Sequence, residues 1–113
     1  MFSFRKSGTL SPDRIIKAVE EESKKEEKIL KVFLFGSYAD GKAKGNSDID
    51  IHVIHDGTMN EKELAEYSFR LQARLGKPID AIKSSSKSKR SGFIESIKSS
   101  EKLIYSKDAK RAS

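Results

Sequence analysis

Lys31–His55, KVFLFGSYADGKAKGNSDIDIHVIH, decides how the chain is read. Ile29 to Phe35 is a near-continuous apolar run rich in Val, Ile and Phe, too short for a buried helix. It predicts a strand covered on both faces. Gly36-Ser37 breaks the run, Tyr38 to Asp40 suits a short helix ended by Gly41, and Lys42 to Ser47 reads as a polar, basic loop. A second strand follows from Asp48 to Ile54. Side chains alternate faces along a strand, so Asp48 and Asp50 share one face while Ile49, Ile51 and Val53 share the other. Two acids on one face repel each other unless a cation or a donor network compensates.

The flanks read as support for this unit. Ser11-Pro12-Asp13 starts a helix with a hydroxyl cap, Pro at the first position and an acid in the first turn. Ile15, Ile16 and Val19 give it an apolar stripe, and the charged run from Glu20 to Lys28 predicts its exposed end. Asn60 with Glu63 forms a capping box for a helix whose Leu64, Tyr67, Leu71 and Leu75 recur at helical spacing, closed by Gly76. Tyr67 is expected at the edge of the core. Pro78 to Ile82 predicts a short strand carrying a third acid, Asp80. Lys83 to Ser91 is expected to be a mobile basic loop, followed by a helix over about Gly92 to Lys98 and a strand around Leu103 to Tyr105. The expected organisation is a lead-in over 1–11, one domain over 12–106 and a tail over 107–113.

At 113 residues the chain fits one small domain with a modest core. A formal charge of +6 and a pI near 9.5 favour polyanionic partners. There is no cysteine, which excludes disulfides and Cys-ligated zinc. No apolar run is long enough to cross a bilayer or act as a signal peptide, so no membrane association and a cytoplasmic location are expected by elimination. The Lys83–Ser91 stretch lacks interleaved aromatics, so nucleic acid is not a favoured partner. Neither GxxxxGK[ST] nor GxGxxG occurs. His52 shares the acids' face by parity, with a packing or hydrogen-bonding role expected, and His55 is read as a strand-end residue.

Asp48, Asp50 and Asp80 all arise where the pattern wants apolar residues. Oxygen-rich clusters of this kind suit Mg²⁺, which takes carboxylates and phosphate oxygens. Two such ions ~4 Å apart can clamp an in-line displacement at phosphorus. Gly36 lets a phosphate approach the backbone, and the Ser37 hydroxyl can bind its oxygens.

Gly36-Ser37, ten intervening residues, then Asp48-Ile49-Asp50, with Asp80 on a later strand, resembles the signature of the DNA polymerase beta-like nucleotidyltransferase superfamily. The short chain resembles its minimal nucleotidyltransferase branch. That resemblance implies an α/β (α+β) fold, a small mixed sheet flanked by helices on one side. It implies transfer of a nucleoside monophosphate, AMP from ATP, to an acceptor hydroxyl, with two Mg²⁺ ions. Gly36 and Ser37 would bind nucleotide; Asp48 and Asp50 would bind metal; Asp80 would bind the catalytic metal or help deprotonate the acceptor. Many minimal members pair, as antitoxins, with a helical HEPN-type toxin whose tyrosine they adenylylate, which makes such a protein the expected partner. The alternative is a catalytically silent nucleotide- or partner-binding module of the same fold. Many relatives carry Arg where this chain has Asp40, an acid that weakens the local positive field, with Lys42 and Lys44 as possible compensation.

Overall fold

Helix α1 (Pro12–Lys24) begins where the sequence places it, with Ser11 Oγ accepting from the Arg14 N–H at 3.3 Å. Strand β1 (Ile29–Phe35) leads into a tight 3₁₀ turn over Gly36–Tyr38, then β2 (Ile49–His55), α2 (Glu61–Leu75), β3 (Ile79–Ser85) and β4 (Lys102–Ser106). The computed structural model describes residues 10–45, 47–86 and 101–107. The expected helix over 92–98, the end of the basic loop over 87–91 and nearly all of the lead-in and tail lie outside the described residues.

The strands form one sheet in the order β3-β2-β1-β4. β1 runs antiparallel to both β2 and β4, whereas β2 and β3 are parallel, joined through α2, so the sheet is mixed as expected. One core unites α1 (Ile15, Ala18, Val19), α2 (Leu64, Tyr67, Leu71, Leu75) and the inward sheet residues Val32, Leu34, Ile49, Ile51, Val53 and Ile104. The helices therefore sit on the face that Ile49, Ile51 and Val53 share, and the acids project from the opposite face.

Several expectations need correction. β1 is not covered on both faces: Val32 and Leu34 are buried, but Lys31, Phe33 and Phe35 on the other face are exposed or half-buried. The described helices cover one side, so an apolar run here marks strand propensity more than double burial. The short helix expected over Tyr38 to Asp40 is instead the 3₁₀ turn two residues earlier, with Tyr38 and Ala39 buried in the core. β2 starts at Ile49, one residue after Asp48.

β3 runs on through Lys83 to Ser85, where a loop was expected. Its pairing with β2 continues from Val53↔Lys83 to His55↔Ser85 and overrides the low strand propensity of Lys and Ser. Within that strand Lys83 pairs with Glu61 at 3.4 Å.

The charged end of α1 is not wholly solvated. Glu22 is 3% exposed and Ser23 1%. Glu22 accepts from Arg70 Nε at 2.9 Å and from Arg74 Nη1 at 3.1 Å, which binds α1 to α2. Tyr67 lies fully inside the core rather than at its edge, its hydroxyl 2.7 Å from Ser23 Oγ. Burial pushes that phenol up, well above the usual tyrosine range. The α2 ends match the sequence: the Asn60–Glu63 capping box is complete, and Gly76 closes the helix at φ 72°.

Candidate active site

The turn is fixed from beneath. Tyr38 is buried and its hydroxyl accepts from the Leu10 N–H at 3.4 Å, so the chain after Gly36-Ser37 is anchored in the core. The Gly36 carbonyl accepts from the Ala39 and Asp40 N–H groups at 3.0 and 3.2 Å, and the Ser37 carbonyl from the Lys42 N–H at 2.9 Å. Gly36 itself takes φ 75°, a left-handed value that favours glycine.

β-Pairing then brings the acids to this turn. Phe35, the residue before Gly36, lies opposite Asp50, and Asp50 lies in parallel register with Asp80. Gly36, Asp50 and Asp80 thus form a row across three neighbouring chain segments. Asp50 is half-buried, Asp80 is exposed, and Asp48 is exposed just before the strand. Burial, the charges of Asp80 and Asp48, and a hydrogen bond with Asp80 push the Asp50 carboxyl above the usual carboxylate range. None of the described ion pairs involves these three acids.

That uncompensated negative charge fits a hard cation. The donors are carboxylate oxygens, and Mg²⁺ takes one or two carboxylates while keeping water and phosphate oxygens in its shell. Among the described residues no three His, Cys, Asp or Glu side chains converge on one ion position. Asp50 and Asp80 form a pair, with Asp48 adjoining, which would supply only part of a coordination shell.

Asp40 is exposed, and its Oδ1 accepts from the Lys42 N–H at 3.3 Å, so the unexpected acid shapes its own turn. His52 has the hydrogen-bonding role expected of it. Fully buried, it places Nε2 2.8 Å from Ser84 Oγ and Nδ1 3.2 Å from Glu101 Oε2. The order Ser–His–Glu is that of a nucleophilic triad, but the His52 and Glu101 side chains are 1% and 3% exposed. They tie β2, β3 and the start of β4 together and offer a substrate no access. His55 is more than a strand-end residue: it is buried, and Nδ1 accepts from the Gly57 and Met59 N–H groups at 3.0 and 3.4 Å. Burial, aided by the Lys83 charge, pushes its imidazole below the usual histidine range.

Sequence reading missed Lys77, which is buried at the entrance to β3 and donates to the Gly45 carbonyl. A lysine between Gly and Pro carries no periodic signal, so nothing in the pattern pointed inward.

Residues 17–110 match the family model described as polymerase beta, nucleotidyltransferase. No curated protein matches the chain. Among solved structures, a toxin–antitoxin crystallised with AMP-PNP is 25% identical over 89% of this chain and 77% of that one, with a TM-score of 0.66. A Shewanella oneidensis complex of a tri-AMPylated HEPN toxin with its MNT antitoxin is 21% identical over 93% of this chain and 77% of that one, with a TM-score of 0.57, a likeness of fold. No described helix is long and apolar enough to cross a membrane.

Proposed function

This chain belongs to the polymerase beta nucleotidyltransferase family as a minimal nucleotidyltransferase, and from that premise we propose that it moves AMP from ATP, with Mg²⁺, to a hydroxyl on a HEPN-type partner protein. The observation that carries this reading is the in-register pair Asp50–Asp80 beside the Gly36 backbone, a half-buried negative cluster with no cation of its own among the described ion pairs. In support stand a solved relative that holds AMP-PNP and another whose toxin partner is AMPylated.

In this mechanism the Gly36 backbone and the Ser37 hydroxyl receive the phosphate oxygens of the nucleotide, since a residue without Cβ permits close approach. Asp50 and Asp80, with Asp48 adjoining, would hold Mg²⁺, which would supply charge neutralisation for the triphosphate. Asp80, exposed on the edge strand, takes the proton of the incoming hydroxyl. The hydroxyl oxygen forms a bond to the α-phosphorus, the bond to the bridging oxygen breaks, and pyrophosphate leaves with that electron pair. Positioning and electrostatics carry the rate, so few further groups are required.

The test is transfer from ATP labelled at the α or the γ phosphate, with Mg²⁺ and a HEPN-type protein as acceptor. AMP transfer labels the acceptor from the α position only. Label from the γ position identifies phosphoryl transfer instead, and nucleotide binding without any transfer identifies a silent module.

A further inference from the structure

Lys77 stands between the glycine that ends α2 and Pro78, three residues before Asp80, and is only 8% exposed. Lysine is rarely buried, because its ammonium loses hydration. Here the ammonium donates to the backbone carbonyl of Gly45, three residues before Asp48. A charge-assisted bond of this kind is among the stronger ones a side chain makes. It joins the approach to β2 with the approach to β3, which are also linked by the Ile49 N–H to the Pro78 carbonyl at 3.1 Å.

The loop that receives this contact runs from the Gly36-Ser37 turn to Asp48 and carries the exposed cations Lys42 and Lys44. Beyond Gly41, its other described hydrogen bonds are local: Lys42 N–H to Ser37 and Asp40, Lys44 N–H to Ser47 Oγ, and Ser47 N–H to the Lys44 carbonyl. Among the described residues, Lys77 supplies the long-range polar anchor of this segment, as Tyr38 does for the turn before it. Lys77 makes none of the described ion pairs with Asp48, Asp50 or Asp80, and its described polar contact is with the Gly45 carbonyl, so its role is one of position.

We propose that Lys77 is a positioning residue for nucleotide binding: it clamps the 42–47 loop so that Lys42 and Lys44 meet the triphosphate. This rests on the nucleotidyltransferase reading above. Loop freedom then appears as weaker nucleotide binding rather than slower chemistry, because Asp50 and Asp80 are held by the β2–β3 ladder and not by the loop.

Lys77→Met keeps most of the buried stem and removes the donor; Lys77→Arg keeps a donor. The Met variant raises the KM for ATP about tenfold, the cost of ordering one or two freed loop residues on binding, and lowers kcat by less than about threefold. Lys77→Arg recovers most of the KM. Hydrogen exchange over residues 42–47 rises in Lys77→Met while the core of α2 is unchanged. Unchanged loop exchange, or a loosened loop with an unchanged KM, overturns the proposal. If the wild-type protein transfers nothing, the parent reading fails, and the exchange experiment still decides whether Lys77 clamps the loop.

Discussion

The carboxylate of Asp50 occupies the space that a side chain on Gly36 would need: a Cβ built on Gly36 overlaps Asp50 Oδ2 and lies 3.1 Å from its Cγ. Gly41, with nearly the same backbone (φ 79°), has open space around its Cβ position. The pair separates backbone strain from site geometry. Gly41→Ala costs about 1 kcal/mol, the strain of a left-handed alanine, with near-normal transfer. Gly36→Ala costs about 2–4 kcal/mol and lowers kcat/KM by about a hundredfold or more, because the carboxylate must move. Urea titration and transfer kinetics on both variants check this.

Asp50 and Asp80 repel each other in the absence of a cation, and that repulsion predicts a stability gain from an inactivating change. The Asp50 carboxyl is raised, so its penalty is full above the folded value and vanishes below the ordinary value of 3.8. Without divalent ions at pH 7, Asp50→Asn raises Tm by about 2–5 °C while abolishing transfer. Mg²⁺ raises the Tm of the wild type and leaves that of the variant nearly unchanged. Thermal melts with and without Mg²⁺, at pH 7 and pH 3.5, measure both effects.

Glu22 joins α1 to Arg70 and Arg74 of α2. Burial raises its carboxyl, but the hydrogen bonds from Arg70, Arg74 and Lys25 outweigh burial and hold it below the usual range. The contribution is present above the ordinary value of 4.5 and is lost as pH falls through the folded value. Glu22→Gln costs about 1–3 kcal/mol at pH 7, and the gap to wild type closes on acidification. Denaturation curves over pH 3–7 follow it.

His55 titrates in the opposite chemical sense with the same outcome. Its neutral Nδ1 is the acceptor for two N–H groups leading into α2, and its folded value lies below the ordinary 6.5. Stability is therefore full above the ordinary 6.5 and is lost as pH falls from there through the folded value. His55→Leu costs about 1–3 kcal/mol at pH 7.5, less at pH 5, as measured by urea titration.

How much of this was legible in the sequence varies with the physics involved. The period-two alternation around Asp48 and Asp50 put both acids on one face, and the capping box fixed the start of α2. Register was not legible: nothing in the chain says that Asp80 pairs with Asp50 or that Phe35 faces it, because ladders are settled by the whole sheet. Glu22 was legible in part, since the stripe Ile15, Val19 continues to positions 22 and 23; the density of charge hid it, and its arginine partners lie about fifty residues away. Ser84 and Glu101 acquire meaning only once the sheet brings them to His52.

We propose that the row Gly36–Asp50–Asp80 transfers AMP to a protein hydroxyl. Intact-mass measurement of the partner after incubation with ATP and Mg²⁺ tests it most directly. Mass increments of one or more adenylyl groups are expected with the wild-type enzyme and none with Asp50→Asn or Asp80→Asn. Adenylylation that persists in the Asp48→Asn, Asp50→Asn double variant contradicts it.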